Sequence, residues 1–446
     1  MESAFPRRPR AVILTLGCRV NQYESDAIAG ELEADGFDIV PAGAEAEITV
    51  VNTCTVTGES DRKSRQHIRR AAAANPAAPL IVTGCFAEVF RAEAAAIPGV
   101  TAVVGNREKG SIPALARTLI DGGGKAAQPA GARLTLRTPR RVRSFIKIED
   151  GCGNRCAYCI IPAARGPVRS RPPQEIVDEV RGIAAAGCQE IILTGIETGA
   201  YGRDSGGAFS LGSLLLQLGG VPGVRRITLG SLDPSLLRTD FLEAAAAVPA
   251  LMPHFHLSLQ SGSSSVLRRM RRPYNAAQAL ECIARIRRVF HDVMLTADVI
   301  TGFPGETEAE FEETLAFCRE AQFLHMHIFP YSARRGTEAA SMPAQVPVPI
   351  RRARAAQLEA EGLRVRRALL DGYVAAHRAA PVSVLIEEAE DGELNGHSEH
   401  YVEIHMPLDT GEPGDIVPIR LTETDGRICR GERAADPECV QSADTP

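Results

Sequence analysis

The first quarter of the chain alternates short apolar runs with longer amphipathic stretches. The apolar runs are AVILTL (11–16), ITVVN (48–52) and LIVT (80–83). Helical patterns extend from the first run to Ala34 and from the second to about Ala74, and a third begins near Glu88. Strands that alternate with helices pair in parallel, because each helix carries the chain back across the sheet. The pattern therefore predicts a doubly wound parallel α/β domain over residues 1–122.

A second alternation begins at Arg141 and contains six further candidate strands. They are SFIKIED (144–150), EIILTG (190–195), RRITLG (225–230), HFHLSLQ (254–260), MLTADVITG (294–302) and HMHIFPYS (325–332). Helical stretches separate them, and an arginine-rich stretch at 347–375 predicts a final long helix. A complete eight-stranded barrel typically needs about 250 residues, and the six units span only about 200. We therefore predict a partial (β/α)6 barrel, with its following helix, over residues 141–375.

The remaining segments have simpler patterns. Residues 376–436 contain PVSVLIEE, SEHYVEIHMP and GDIVPIRL with glycine-rich turns between them, which predicts a small all-β barrel. Residues 123–140 contain glycine and proline without a strong helical period and are predicted to be a linker. Residues 437–446 are predicted to be a disordered tail.

Composition narrows the class of protein. The 446 residues are 44% hydrophobic, as in a globular chain of several domains, and the formal net charge is −5. Any contact with nucleic acid must therefore come from local basic patches. No apolar run approaches the ~20 residues of a membrane span, and the apolar run after the charged start is too short for a signal peptide. We predict a cytoplasmic protein without a membrane partner, whose grouped cysteines bind metal and do not form disulfides.

Three cysteines lie close together in the stretch DGCGNRCAYCIIP. Cys152, Cys156 and Cys159 follow the first strand of the predicted barrel, where the catalytic residues of such barrels lie. Three thiolates can bind three irons of a four-iron, four-sulfur (4Fe-4S) cluster and leave the fourth iron open for a small molecule. The alternative is a zinc site that is completed by a distant ligand such as Cys188 or His254.

A second trio of cysteines is spread along the N-terminal domain. Cys18, Cys54 and Cys85 each follow closely on one of its predicted strands. The strands of a parallel sheet end at one edge, so the three thiols are expected to converge there. The trio predicts a second cluster with an open iron, and buried structural thiols are the alternative. We interpret the other cysteines as non-ligands: Cys188, Cys282, Cys318, Cys429 and Cys439.

The loop that begins at Cys152 resembles the signature of radical S-adenosylmethionine (SAM) enzymes, with an aromatic residue, Tyr158, before the last cysteine. In that family the open iron chelates the amino and carboxylate groups of SAM, and the reduced cluster cleaves SAM to a 5′-deoxyadenosyl radical. The resemblance implies further SAM contacts where the other barrel strands end. The candidates are Thr194, Gly195, Glu197, Ser258, Gln260 and Gly302. For each of them an ordinary role in a βα turn is the alternative.

Longer segments resemble the methylthiotransferase family over nearly the whole chain. Resemblance to the subfamily that acts on N6-threonylcarbamoyladenosine in tRNA lies in LGCRVNQYES (16–25), NTCTVT (52–57), GCFAE (84–88) and KIEDGCGNRCAYCIIPAARGPVRSR (147–171). The pattern shared by the whole family is found in LQSGSSSVLRRMRRPYN (259–275) and ADVITGFPGET (297–307). The C-terminal segment resembles the RNA-binding TRAM domain.

The resemblance implies a reaction, two 4Fe-4S clusters with SAM as cofactors, and several partners. One SAM donates a methyl group to a sulfur that is carried by the cluster at Cys18, Cys54 and Cys85. A second SAM is cleaved at the other cluster, and its radical takes the hydrogen from C2 of the modified adenine at tRNA position 37, which receives the methylthio group. The implied partners are tRNA, a flavodoxin- or ferredoxin-type electron donor and a sulfur donor.

Other substrates and another class of protein are the alternatives. Sister families modify isopentenyladenosine in tRNA or an aspartate of a ribosomal protein, and the Arg-Val-Asn-Gln-Tyr run after Cys18 argues against both. The different class is a non-enzymatic RNA-binding protein that depends on zinc or on a cluster.

Arginines near the cysteines are candidates for phosphate contacts, because the guanidinium group binds phosphate well. The candidates are Arg65, Arg69, Arg165, Arg169 and Arg171. The alternative is a solvated helix face, which we favour for most arginines between Arg351 and Arg367.

Overall fold

The computed structural model describes residues 7–122 and 134–434. The predicted tail at 437–446, Cys439 and most of the predicted linker lie outside the described residues. Within the two described ranges, no helix combines the length and the apolar content that a membrane crossing requires.

The N-terminal domain is a parallel sheet between two layers of helices. Its strands are β1 (Arg10–Thr15), β2 (Asp38–Ile39), β3 (Ile48–Thr53), β4 (Leu80–Gly84) and β5 (Ala102–Val103). Its helices are α1 (Arg19–Ala34), α2 (Gly58–Ala74), α3 (Cys85–Val89), α4 (Arg91–Ala95) and α5 (Ile112–Ile120). The strand order is β2-β1-β3-β4-β5, and β3 and β4 are buried throughout because separate apolar clusters cover the two faces. The prediction of a doubly wound parallel domain is confirmed. The edge strands β2 and β5 were not predicted, because two residues are too few to show an apolar run.

The central domain is a partial barrel. Its strands are β6 (Arg143–Lys147), β7 (Glu149–Asp150), β8 (Arg169–Ser170), β9 (Glu190–Thr194), β10 (Arg226–Leu229), β11 (His254–Gln260), β12 (Met294–Thr301) and β13 (His325–Pro330). Its helices are α6 (Ile161–Arg165), α7 (Pro173–Ala185), α8 (Leu211–Gly219), α9 (Thr239–Ala246), α10 (Ser264–Arg269), α11 (Ala276–Val289), α12 (Glu308–Ala321) and α13 (Val348–Ala376). The parallel groups β6-β9-β10 and β11-β12-β13 are joined by a bridge between Leu232 and Leu257.

The first predicted barrel strand is interrupted. β6 ends at Lys147, and β7 pairs in antiparallel fashion with β8. Gly151 follows with a φ of +88°, and a Cβ atom there would lie only 2.0 Å from the carbonyl oxygen of Pro167. The prediction of one strand over 144–150 was therefore wrong, because the β7–β8 ladder and this tight glycine turn direct the chain into the cysteine loop.

The C-terminal domain is a closed five-stranded barrel. Its strands are β14 (Val382–Glu390), β15 (Glu393–Ser398), β16 (Glu403–Met406), β17 (Ile416–Thr424) and β18 (Cys429–Arg433). Its apolar core continues into the central domain through Leu324, Leu370 and Tyr373. This barrel is therefore packed onto its neighbour, and its core is not independent of α13.

The two outer domains cover opposite ends of the partial barrel. Arg334, just after β13, donates to Oδ2 of Asp61 in the N-terminal domain at 2.7 Å. Arg226, at the start of β10, donates to the carbonyl oxygens of Ser383 and His397 in the C-terminal barrel at 2.5 and 2.9 Å. The N-terminal domain thus covers the carboxyl ends of the strands, where such barrels carry their active sites, and the C-terminal barrel covers the amino ends.

We expect Arg226→Met to loosen the C-terminal barrel. Arg226 is 2% exposed, and its loss would remove a donor from Ser383 and a cation 3.7 Å from the buried Glu190. Removing one partner of a buried ion pair costs roughly 3–5 kcal/mol, so the midpoint of urea unfolding should fall. Arg225→Met is the control, because Arg225 is exposed and donates to Gln189. Equal midpoints for the two variants would contradict this role of Arg226.

Candidate active site

The three cysteines of the barrel lie on one short loop between β7 and α6. Within it the backbone N–H of Cys159 donates to the carbonyl oxygen of Cys156 at 3.1 Å, and that of Cys152 donates to Gly166 at 3.0 Å. Burial raises the pKa of Cys152 to about 11 and that of Cys159 to about 12, and the neighbouring thiols contribute to both rises. The thiols of Cys152 and Cys159 therefore keep their protons until a metal displaces them.

Arg272 contacts this trio and was missed by the sequence analysis. Its Nη1 donates to Sγ of Cys156 at 3.4 Å, while Nη2 donates to Oδ2 of Asp233 and to the carbonyl oxygen of Ser258, both at 2.8 Å. Hydrogen bonds to the sulfurs of an iron–sulfur cluster tune its reduction potential. Nothing distinguishes Arg272 from the other arginines of the RRMRRP run in the sequence, because only the fold directs this one toward the cysteine loop.

We expect Arg272→Gln to lower the reduction potential of a cluster held by this trio. An N–H donor stabilises the reduced, more negative cluster, so losing the cation disfavours reduction. A redox titration followed by electron paramagnetic resonance measures the potential. Loss of the cation beside Asp233 should also destabilise the fold by roughly 3–5 kcal/mol. The control is Arg271→Gln, because Arg271 is largely exposed and pairs with Glu338. An unchanged potential in Arg272→Gln would contradict the contact to sulfur.

The second trio lies at the carboxyl edge of the N-terminal sheet. Cys54 and Cys85 directly follow β3 and β4, and Cys18 lies three residues after the end of β1. Burial raises the pKa of Cys54 to about 11, and the thiols of Cys18 and Cys85 contribute to the rise. Cys54 and Cys85 are buried, whereas Cys18 is exposed. The structure therefore brings the three predicted residues together, with one of them open to the barrel side.

Gly17 makes room for the thiol of Cys54. Its φ is +101°, and a Cβ atom at this position would stand 2.7 Å from both Cβ and Sγ of Cys54. Asn21 then joins the two cysteine loops, because its Nδ2 donates to the carbonyl oxygens of Leu16 at 2.7 Å and Thr53 at 2.9 Å. The LGC and NTC segments thus pack closely into one cradle, in which only a glycine at position 17 leaves room for the Cys54 thiol.

Arg165 links the two cysteine trios. It lies on α6, directly after the barrel loop, and its Nε donates to Sγ of Cys85 at 3.3 Å. Its Nη1 pairs with Glu24 at 2.5 Å, and Lys147 and Lys109 bind the same carboxylate. Burial opposes ionisation of Glu24, but Arg165, Lys109 and Lys147 together hold its pKa well below the usual range. The prediction that Arg165 binds RNA is corrected, since its side chain is fully buried in this network.

The other candidate RNA ligands are placed differently from one another. Arg171 is also mostly buried, where it pairs with Glu179 at 2.6 Å and donates to the hydroxyl of Tyr23 at 3.1 Å, so its predicted phosphate contact is corrected too. Arg169 has a side chain that is 37% exposed, and Arg65 is half-buried with its guanidinium over Phe86. Arg69 is exposed on α2.

Two candidate SAM residues lie close to a carboxylate that the sequence analysis did not select. A Cβ atom on Gly195 would stand 2.1 Å from Oε1 of Glu149, and the same oxygen accepts the backbone N–H of Glu197 at 2.8 Å. Burial raises the pKa of both carboxyls to about 8, and both contribute to the raised pKa of Cys152. Thr194 ends β9 next to them. In the sequence, the two adjacent acidic residues shortly before Cys152 in KIEDGC could have identified Glu149 as a candidate site residue.

The other SAM candidates do not form one group. Tyr158 and Gln260 line a cavity of about 230 Å³ against the N-terminal domain. Ser258 turns its carbonyl oxygen toward Arg272. Gly302 was predicted to let the backbone approach adenine, but a Cβ atom there would stand 2.4 Å from the side chain of Arg351 on α13. The glycine is therefore needed for the packing of α13, and the contact between Gly302 and SAM stays a prediction.

A cavity of about 760 Å³ extends through the barrel from one outer domain to the other. Near the N-terminal domain it is lined by Cys18 and Arg19, and at the carboxyl ends of the strands by Thr194 and Gly195. At the far end, Tyr401 of the C-terminal barrel stacks on the buried His254 with ring centroids 4.2 Å apart. A substrate group that enters this space reaches the edge of the N-terminal trio.

The donor sets fit two iron–sulfur clusters. Each trio is a set of three thiols, and an arginine N–H points at one sulfur of each. Among the described residues, no three His, Cys, Asp or Glu side chains could hold one metal ion together. A cluster needs wider spacing than a single ion, because its irons are spread over a cube. Cys18, Cys54 and Cys85 would hold one cluster, and the barrel trio would hold the other.

Comparisons with known proteins agree with this arrangement. The radical SAM superfamily matches residues 146–318, and the uncharacterized protein family UPF0004 matches residues 10–105. A threonylcarbamoyladenosine tRNA methylthiotransferase MtaB of Bacillus subtilis is 36% identical, with coverage of 91% of this chain and 92% of that protein. A tRNA-2-methylthio-N(6)-dimethylallyladenosine synthase of Thermobifida fusca is 34% identical, with coverage of 92% and 86%. A ribosomal protein uS12 methylthiotransferase RimO of Moorella thermoacetica is 32% identical, with coverage of 93% and 96%.

A solved structure supports the fold. The radical SAM methyltransferase TsrM of Kitasatospora setae, with cobalamin and a 4Fe-4S cluster bound, superposes with a TM-score of 0.55 at 15% identity, over 75% of this chain and 77% of that one. At this identity the likeness concerns the fold alone. The relatives share radical SAM methylthiotransferase chemistry, which uses SAM and 4Fe-4S clusters. Because such relatives exceed 30% identity over nine-tenths of its length, this chain belongs to the radical SAM methylthiotransferase family.

Proposed function

We propose that the chain transfers a methylthio group to C2 of N6-threonylcarbamoyladenosine at position 37 of tRNA, which forms 2-methylthio-N6-threonylcarbamoyladenosine. The observation that carries the proposal is the cavity of about 760 Å³, which Cys18 of one trio shares with Thr194 and Gly195 at the barrel mouth. A base bound there would lie beside Cys18 of the N-terminal trio and beside Gly195, which packs against Glu149 close to Cys152 of the barrel trio. The substrate is supported by the name of the Bacillus subtilis relative and by the RVNQY run after Cys18.

The two trios divide the chemistry between them. When bound, the clusters and SAM would supply methyl and sulfur transfer at the N-terminal trio and one-electron SAM cleavage at the barrel trio, which removes the hydrogen from C2. The residues of the chain would position the two clusters relative to each other. Arg165 is fully buried and contacts both Cys85 and Asp150, the residue that precedes the barrel loop, so the two trios are held at a constant separation.

Glu149 and Glu197 are the groups of this chain best placed to orient SAM. With pKa values of about 8, both carboxyls keep a proton at neutral pH. Oε2 of Glu149 is buried and has no hydrogen-bond partner among the described residues, although polar groups in that position are usually satisfied. We assign this atom to a polar group of SAM beside Cys152.

The partners follow from the same arrangement. Arg69 is exposed and Arg65 is half-exposed on α2, which follows Cys54, and Arg169 is half-exposed on β8, which follows the barrel loop. We assign these three arginines to tRNA phosphates, for which charged contacts mainly set affinity. A flavodoxin- or ferredoxin-type protein would supply electrons, and a separate donor would restore the sulfur that each turnover consumes.

Mass spectrometry of tRNA nucleosides from a deletion strain tests the proposal. We expect 2-methylthio-N6-threonylcarbamoyladenosine to disappear, N6-threonylcarbamoyladenosine to accumulate, and the wild-type gene to restore the product. Loss of methylthiolated isopentenyladenosine would favour the sister tRNA substrate. Unchanged tRNA with an unmodified ribosomal protein would favour the ribosomal alternative.

Metal content separates the enzyme from a non-enzymatic RNA-binding protein. After anaerobic purification we expect a brown protein with about eight irons per chain, since two 4Fe-4S clusters contain that number. A colourless protein that contains zinc would contradict both clusters and the proposed reaction.

A further inference from the structure

Arg19 lines the cavity directly beside the N-terminal trio. It follows Cys18, and its half-buried side chain forms no hydrogen bond or ion pair within the described part of the chain. The two carboxylates that line the same cavity contact histidines and do not contact Arg19. Asp298 is 3.3 Å from Nε2 of His256, and Glu403 is 3.3 Å from Nε2 of His405. Arg19 therefore places next to Cys18 a positive charge that forms no hydrogen bond or ion pair with any described residue.

The position of Arg19 is not explained by helix stability. Arg19 is the first residue of α1, where the helix dipole disfavours a cation, and the first turn of α1 contains no acidic residue. Two of the imidazoles that line the cavity add no second positive charge. Burial first, and then nearby cations that include Arg19, lower the pKa of His254 and His327, so both rings are neutral at pH 7. A cation that is disfavoured by its helix and has no protein partner points to an anionic ligand.

We propose that Arg19 binds the carboxylate of the threonylcarbamoyl group and thereby selects the substrate by charge, an inference that rests on the proposed function. For methylthiolation, C2 of the adenine must face the trio that contains Cys18. C2 and C6 flank the same ring nitrogen, N1, so a substituent on N6 leaves the ring beside the edge that carries C2. Its carboxylate then arrives close to the residue after Cys18.

The chemistry of the two groups agrees with this assignment. Arginine binds carboxylates through two parallel N–H donors, which fixes orientation as well as charge. An isopentenyl group has no anion, and binding it would leave the guanidinium desolvated and unpaired. A site that hydrogen-bonds a polar group of its substrate strongly rejects an analogue without that group, because the protein's own polar group is then left unpaired. An apolar pocket discriminates less strongly against a substrate that carries an additional polar group. Arg19 would thus be a specificity-determining residue.

The test compares anticodon stem-loops that carry N6-threonylcarbamoyladenosine either as the free acid or as its neutral methyl ester. Affinities are measured by fluorescence anisotropy at one salt concentration, with anaerobic protein that contains both clusters and no SAM. We expect the wild type to prefer the acid by about tenfold or more, as for hydrogen bonds to a charged group. Arg19→Gln should reduce this ratio to about one, and Arg19→Lys should give an intermediate ratio.

Two controls keep the result interpretable. Arg69→Gln removes a charge on exposed α2, so it should weaken both stem-loops equally and leave their ratio unchanged. Iron content and visible absorption equal to wild type show that Arg19→Gln retains its fold and clusters. If Arg19→Gln loses iron, the wild-type protein still provides a test. Equal affinities of the wild type for the acid and for the methyl ester would overturn the inference.

Failure of this inference differs from failure of the proposed function. A wild-type enzyme that forms the methylthiolated nucleoside while Arg19→Gln keeps the full preference for the acid would overturn the role of Arg19 alone. A wild-type enzyme that leaves N6-threonylcarbamoyladenosine unmodified would overturn the proposed function, whatever the binding ratio.

Discussion

Replacing Cys156 with alanine is expected to abolish SAM cleavage, whereas replacing Cys54 is expected to abolish only methylthio transfer. Cys156 belongs to the barrel trio, and without its thiolate the trio could no longer hold the cluster whose open iron would bind SAM. Cys54 belongs to the trio of the N-terminal domain. It lies between β3 and α2, apart from the barrel loop. The Cys54→Ala enzyme should therefore still form 5′-deoxyadenosine, while its yield of methylthiolated nucleoside falls below detection.

Both products can be measured in one reaction by liquid chromatography and mass spectrometry. Cys188→Ala is a matched control, because Cys188 is buried in the barrel and its thiol contacts the carbonyl oxygen of Glu190 away from both trios. This variant should keep both activities. Full methylthiolation by Cys54→Ala would mean that the N-terminal trio does not carry the transferred sulfur.

The second large effect is expected from Gly17→Ala. The added Cβ atom would lie 2.7 Å from Sγ of Cys54, at a backbone φ of +101° that disfavours side chains. The thiol must move, so the N-terminal trio should lose its cluster. Iron should fall from about eight to about four per chain. SAM cleavage should persist at the barrel trio, and methylthio transfer should be lost.

Gly43→Ala separates the contact from the backbone strain. Gly43 has a φ of +88°, but a Cβ atom there meets nothing within 4 Å. Both substitutions place alanine in the left-handed region, which costs about 1–2 kcal/mol. Only Gly17→Ala also disturbs a cysteine. Equal iron content in the two variants would show that the cradle around Cys54 does not limit cluster binding.

The alternation of apolar runs was sufficient to predict both α/β domains. In the N-terminal domain, β3 and β4 are buried on both faces, so their sequences are continuous apolar runs bounded by polar turns. The convergence of Cys18, Cys54 and Cys85 followed from the same pattern, because parallel strands end at one edge. Topology alone brings together residues that are far apart in the chain.

Several functional residues could not be found in this way. Arg165 and Arg171 appear basic and exposed in the sequence, yet carboxylates of other elements surround them in the fold. Arg272 is one of several adjacent arginines, and only the course of the chain after α10 directs it to Cys156. A charged side chain reveals its partner only when distant segments meet, because ion pairing depends on separation in space.

The sequence by itself determined the fold class, the two cysteine trios and the family resemblance, because periodicity and cysteine spacing are local properties of the chain. Tertiary structure decided the rest. It placed the N-terminal domain over the carboxyl ends of the barrel strands and the C-terminal barrel over their amino ends. It buried Arg165 between the trios and left Arg19 without a partner among the described residues. These features arise where separate domains pack together, and no local pattern records such a contact.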